Sequence, residues 1–168
     1  LGKHKFRLPV VPANMECVIN FELAERLARA GYFYILHRFY SDAQTVEFCK
    51  SMRAAGLIVS ISIGVNDSSR VLLQLLKADG IIPDFLTIDI AHGHAIKMES
   101  MIRYIYDFYC DEKTMPFIIA GNVSTAAAAR DLEAWGADAV KVGIGPGSAC
   151  STYPATGFGS RGIQASVI

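Results

Sequence analysis

Two periods of apolar residues alternate along this chain. Residues 21–30 repeat apolar positions at helical spacing, with Asn20 standing where an N-cap belongs. The same spacing recurs over residues 42–55, closed by Gly56 as a C′ residue, and over 68–78, ended by Asp79 and Gly80. It returns over 95–109 and over the alanine-rich run 125–135, where Ser124 or Thr125 is the cap. Between these helices lie short apolar runs that read as strands: residues 8–13, 32–37, 57–63, 85–88, 117–120 and 139–142. Residues 162–168 read as the opening turns of one more amphipathic helix.

A strand and its helix together take about 25–30 residues, the length of a βα unit. Continuous apolar strands separated by helices predict a parallel sheet covered on both faces. A doubly wound dinucleotide fold would open with a strand and a GxGxxG turn, whereas the first turn here is Pro12-Ala-Asn-Met15. The expected fold is therefore α/β, a TIM (β/α)8 barrel that is incomplete, with about six βα units present. Residues 1–168 are expected to form a single catalytic barrel domain, truncated at both ends, because an intact barrel needs about 250 residues.

Charge narrows the partners. Sixteen basic and sixteen acidic side chains give a formal net charge of zero, and no basic run stands out. Nucleic-acid binding, which rests on neutralising phosphates, is not expected. No apolar run reaches the roughly 18 residues of a membrane span, and residues 8–12 are too short for the apolar region of a secretory signal. The four cysteines, Cys17, Cys49, Cys110 and Cys150, lack CxxC spacing. Free thiols in a reducing cytoplasmic setting are the expectation.

Polar residues collect at one end of the units. Asn14 and Met15 follow the first predicted strand and Arg38 the second. Asp89, His92 and His94 follow the fourth, Gly121 and Asn122 the fifth, and residues 143–152 the sixth. Catalytic groups of a barrel stand at the C-terminal ends of its strands. Gly143, Gly145 and Gly147 let the last of these loops curl closely around a ligand, and Ser148 adds a hydroxyl donor for a phosphate. A thiol beside such a cradle, Cys150, suggests a nucleophile held against a phosphorylated substrate. His92 and His94 have metal-pair spacing, but no third ligand is spaced to complete a site.

These residues resemble the IMP dehydrogenase/GMP reductase family over almost the whole chain. The landmarks are Pro12-Ala-Asn-Met15, Leu36-His-Arg-Phe39, Ser62-Ile-Gly-Val65, Ile88-Asp-Ile-Ala-His-Gly-His94, Ala120-Gly-Asn-Val123, Gly136-Ala-Asp138, Lys141-Val-Gly-Ile-Gly-Pro-Gly-Ser-Ala-Cys150 and Thr156-Gly-Phe-Gly159. Within the family the chain looks more like the reductases. Arg53-Ala-Ala-Gly-Leu57 runs straight through where the dehydrogenases usually carry inserted regulatory domains. His37-Arg38 and Ile144-Gly-Pro-Gly147 point the same way, while Tyr153 departs from the basic or amide side chain frequent there.

The resemblance implies NADPH-dependent reductive deamination of GMP to IMP and ammonia, in purine nucleotide salvage. Cys150 is the implied nucleophile at C2 of the base, and Thr152 joins the acid/base work with a glutamate from the later half of the barrel. Asp89 is implied at the meeting of nicotinamide and substrate, and Arg38 on the cofactor. Met15, Asn122, Gly145 and Ser148 are implied substrate contacts. A potassium ion on the carbonyls of Gly145, Gly147 and Cys150 is a further implied feature, as is a homotetramer. The alternatives are NAD-dependent oxidation of IMP to XMP, or a catalytically inactive nucleotide-binding fragment.

Overall fold

The computed structural model describes residues 1–110, 115–146 and 150–159. Contacts group it into two units, Leu1–Thr87 and Ile88–Ile168.

In the first unit, helix α1 spans Phe21–Arg29 and α2 spans Asp42–Ala54. Asn20 caps α1 by accepting from Leu23 N at 2.9 Å, as its position predicts. A capping box of Ser41 and Gln44 starts α2. Strand β1 spans Ser60–Ile63, fully buried, and leads into helix α3, Asp67–Ala78. Strand β2, Phe85–Asp89, begins in this unit. Tyr34, Leu36, Met52, Ile61, Ile63, Leu73, Leu76 and Phe85 are fully buried and make the core.

Two predicted strands are corrected here. Residues 8–13 form no strand: Pro9 and Pro12 have no N–H to give a ladder, and Leu8 and Val10 are 52% and 65% exposed. Residues 32–37 are largely buried but make only one parallel bridge, Leu36 to Ile61. The ladder stops because the Tyr34 hydroxyl takes over its next two bonds. It donates to Ile58 O at 2.9 Å and accepts from Ser60 N at 3.3 Å.

In the second unit, which holds the end of β2, helix α4 spans Ile96–Tyr109 and strand β3 Phe117–Val123. Helix α5 spans Ala126–Trp135 and strand β4 Ala139–Val142. Thr125, of the two predicted caps, takes the role by accepting from Ala128 N. A five-residue helix α6, Thr152–Thr156, lies in the cysteine loop where no helix was predicted. Strands β3 and β4 run parallel, with Gly121 opposite Lys141. The helix predicted over residues 162–168 lies outside the described residues.

One device recurs in both units. Asp84, just before β2, accepts from Val59 N at 2.8 Å, and Asp138, just before β4, accepts from Ile118 N at 2.7 Å. In each case the aspartate's own N–H returns a bond to the same residue, Asp84 to Val59 O, just before β1, and Asp138 to Ile118 O, in β3. A carboxylate thus pins the start of each following strand in register.

The four named strands form one parallel sheet in the order β1-β2-β3-β4. A doubly wound sheet reverses its order at a switch point, and these strands do not. Consecutive order is what successive staves of a barrel require, and it carries the C-terminal ends of β2, β3 and β4 to one edge.

Candidate active site

Asp89 is the last residue of β2, Gly121 and Asn122 lie near the end of β3, and Gly143 directly follows β4. Asn122 Nδ2 donates to Gly143 O at 2.7 Å. A carbonyl accepts only, so the nitrogen of the amide must face it. That leaves Asn122 Oδ1 buried and without a partner among the described residues. A buried acceptor in that state fits a donor supplied by a ligand.

Backbone holds this amide in place. Gly93 N donates to Asn122 O at 2.8 Å, and a Cβ on Gly93 would stand 2.9 Å from that oxygen. Only glycine lets the loop after β2 approach β3 so closely. Asp89 Oδ1 accepts from Lys141 Nζ at 2.8 Å, with both side chains partly exposed.

The cysteine loop holds a thiol and a hydroxyl side by side. Cys150 Sγ and Thr152 Oγ1 are 3.2 Å apart. The Thr152 hydroxyl, and secondly its backbone N–H, stabilise the thiolate and hold the Cys150 thiol below its ordinary value. Gly145, at φ +57°, lies against the pair: a Cβ there would stand 3.4 Å from Thr152 Cβ and 3.5 Å from Cys150 Sγ. Cys49 is the counter-example, buried and pushed up to about 12 by desolvation. Cys17 and Cys110 are exposed free thiols.

The two histidines of the β2 loop part company. His92 stacks on Phe158 with ring centroids 4.2 Å apart, which ties the loop after β2 to the segment after α6. His94 Nε2 meets Asp131 Oδ2 at 2.7 Å and lies beside Trp135. Among the described residues, no group of three or more His, Cys, Asp or Glu is placed to hold a metal ion.

Asp89, Asn122, Gly145, Cys150 and Thr152 all belong to the second unit, where Gly145, Cys150 and Thr152 lie against one another and Asn122 bonds to Gly143. Gly147 and Ser148 lie outside the described residues. Met15 and Arg38 belong to the first unit. Met15 is 49% exposed, and the exposed Arg38 guanidinium lies 4.9 Å from the centre of the Phe39 ring. Sequence reasoning assigned nothing to His37, which proves buried, with Nδ1 accepting from Phe39 N and its ring stacked on Tyr40. Burial pushes its pKa down, which favours the neutral ring. Lys141 was also unassigned; its one signal was a lysine within the apolar run of β4.

No described helix is long and apolar enough to cross a membrane. Residues 2–167 match the sequence profile of the IMP dehydrogenase / GMP reductase domain. The chain is 54% identical over 168 residues to a GMP reductase of Mycoplasma mycoides subsp. mycoides, covering 100% of the chain and 51% of that protein. It is 51% identical over 168 residues to a GMP reductase of Pediococcus pentosaceus, covering 100% of the chain and 50% of the relative. A GMP reductase of Enterococcus faecalis is 51% identical over 166 residues, which is 98% of this chain and 49% of the relative. The chain thus spans about half the length of these curated relatives. A profile match over nearly the whole chain, with relatives about half identical to it, shows the family: the chain belongs to the IMP dehydrogenase / GMP reductase family.

Proposed function

We propose that the whole protein is a GMP reductase, an oxidoreductase that converts GMP and NADPH to IMP, ammonia and NADP in nucleotide salvage. The observation that carries this reading is the Cys150–Thr152 pair, a thiol held below its ordinary value beside a hydroxyl, in the same unit as Asp89 and Asn122.

The chemistry follows from these groups. The Cys150 thiolate adds to C2 of the guanine, forming a C–S bond. The exocyclic nitrogen takes up a proton, and the C–N bond breaks to release ammonia. Thr152 is placed to move that proton, being within hydrogen-bond reach of the sulfur. A covalent thioimidate then joins Cys150 to the purine, so one hard displacement becomes two easier steps. NADPH, when bound, supplies the hydride to C2. Release of the thiolate from C2 leaves IMP and restores Cys150.

The binding groups suit these ligands. The orphaned Asn122 Oδ1 fits an N–H of the guanine edge. The Asp89 carboxylate, partly exposed at its strand end, fits the ribose hydroxyls or carboxamide N–H of the cofactor. The exposed Arg38 suits a cofactor phosphate, Met15 an apolar face of the base, and Gly145 and Ser148 the substrate phosphate. Potassium on the carbonyls of Gly145, Gly147 and Cys150 belongs to the same proposal. The close approach of Gly145 to Cys150 is its support, and weaker GMP binding in lithium than in potassium is its test. Closure into a full barrel domain, a homotetramer and a cytoplasmic setting complete the reading; free thiols fit a reducing compartment.

The test is spectroscopic. The whole protein should consume NADPH when GMP is added, releasing ammonia, and Cys150→Ser should abolish this while retaining GMP binding. Formation of NADH from NAD and IMP alone would replace the reductase with a dehydrogenase. Nucleotide binding with neither reaction would mean a binding protein.

A further inference from the structure

Lys141 reaches an acid two strands away. It belongs to β4 and Asp89 to β2, and β3 lies between them in the sheet. Adjacent strands are about 4.8 Å apart, so the pair bridges roughly 9.6 Å of sheet. The bridge is nevertheless closed, with Lys141 Nζ 2.8 Å from Asp89 Oδ1.

Gly121 makes the crossing possible. It stands directly opposite Lys141 in the β3–β4 register. A Cβ on Gly121 would come to 2.5 Å from Lys141 O and 2.7 Å from Lys141 Cβ. The lysine side chain therefore leaves β4 on the face where any side chain at position 121 would stand. φ at Gly121 is not in the left-handed region. The glycine is there for space, which the Lys141 carbonyl and the root of its side chain take up. Asn122, the next residue, turns its amide to Gly143 and stays clear of the crossing.

We propose that Lys141 is a positioning residue for Asp89. It spans the bare backbone of Gly121 to fix the carboxylate rotamer that meets the nicotinamide cofactor. The inference rests on the function proposed above, which places Asp89 at the cofactor. With side chains 30% and 23% exposed, such a pair adds little to stability. Its consequence is geometric: an ammonium with three donors and no acceptor fixes the direction in which the carboxylate turns.

The test uses the whole protein and reads cofactor binding directly, by NADPH fluorescence, with GMP binding measured beside it. Lys141→Met keeps the length of the side chain and removes its charge. It should weaken NADPH binding by about tenfold or more, while GMP affinity stays within about twofold of the parent. Lys141→Arg should restore most of the loss, since it can still donate to the carboxylate. In an Asp89→Asn background, Lys141→Met should have little further effect, because the positioned group is already altered. NADPH binding unchanged in Lys141→Met, or full additivity with Asp89→Asn, overturns the positioning role and leaves the function intact. A parent protein that binds GMP and fails to bind NADPH overturns the cofactor reading and this inference with it.

Discussion

Gly93→Ala tests how tightly the loop after β2 is locked to β3. The new methyl carbon would stand 2.9 Å from Asn122 O, 3.0 Å from Gly121 C and 3.1 Å from Gly121 Cα. All three neighbours are backbone, so no side chain can swing away. Overpacking of this kind costs about 1–3 kcal/mol. The bond from Gly93 N to Asn122 O, 2.8 Å long, is strained with it, for about 1 kcal/mol more. Against this, alanine restricts the unfolded chain and returns about 0.4–1 kcal/mol. φ at Gly93 is not in the left-handed region, so no conformational penalty is added. Destabilisation of about 1–3 kcal/mol is the balance. Gly80→Ala is the control. It has φ +70° and nothing within 4 Å, so it loses about 1–2 kcal/mol to backbone strain alone. Urea denaturation of the whole protein should show similar losses in the two variants. Calorimetry with GMP should separate them. Displacing the Asn122 acceptor removes about one hydrogen bond, about fivefold in affinity, from Gly93→Ala only. A Gly93→Ala protein as stable as its parent, or one that binds GMP unchanged, refutes the reasoning.

The cysteine loop, the strand pins and the buried histidine make three further predictions. Alkylation of Cys150 should follow a pH profile whose midpoint lies below the ordinary thiol range, and Thr152→Val should move that midpoint up; peptide mapping after iodoacetamide reads both, with buried Cys49 labelled only on unfolding. Asp138→Ala strands the Ile118 N–H and should cost about 1–3 kcal/mol in urea denaturation, a loss that Asp138→Asn reduces if its side-chain oxygen replaces the carboxylate. His37 has its pKa lowered by burial, so below about pH 6.5 the unfolded chain binds the extra proton first. Its contribution is intact above that pH and falls away as the pH drops, and a pH series of denaturation curves should lose that slope in His37→Gln.

Helices were the most legible part of the chain because their signals are local. Asn20, Gly56 and Thr125 act within a few residues of where they stand, and the helices begin and end where they predict. Strands depend on partners that sequence does not display. Residues 8–13 have the apolar content of a strand, yet two prolines remove its donors. Residues 32–37 are buried like a strand, yet the Tyr34 hydroxyl captures the backbone groups that would extend the ladder. Neither outcome changes the parallel order of the named strands, so the α/β reading holds while the number of strands was overestimated.

The site divides along the same line. Cys150 and Thr152 are two residues apart and within reach of each other, but it was the family resemblance that gave Thr152 a role; on its own it read as a turn hydroxyl. Asp89 and Lys141 are separated by 52 positions. Only the β3–β4 register sets Gly121 opposite the lysine, and only the strand order makes β2 the next strand beyond it. Gly121 itself reads in sequence only as the glycine that follows a predicted strand and precedes an asparagine. In the folded chain it is the gap through which a lysine on one strand holds the acid on another. A charged side chain within an apolar strand is expensive to bury alone. Lys141 is the one charged residue of β4, partly exposed, and Asp89, which closes β2, accepts its bond.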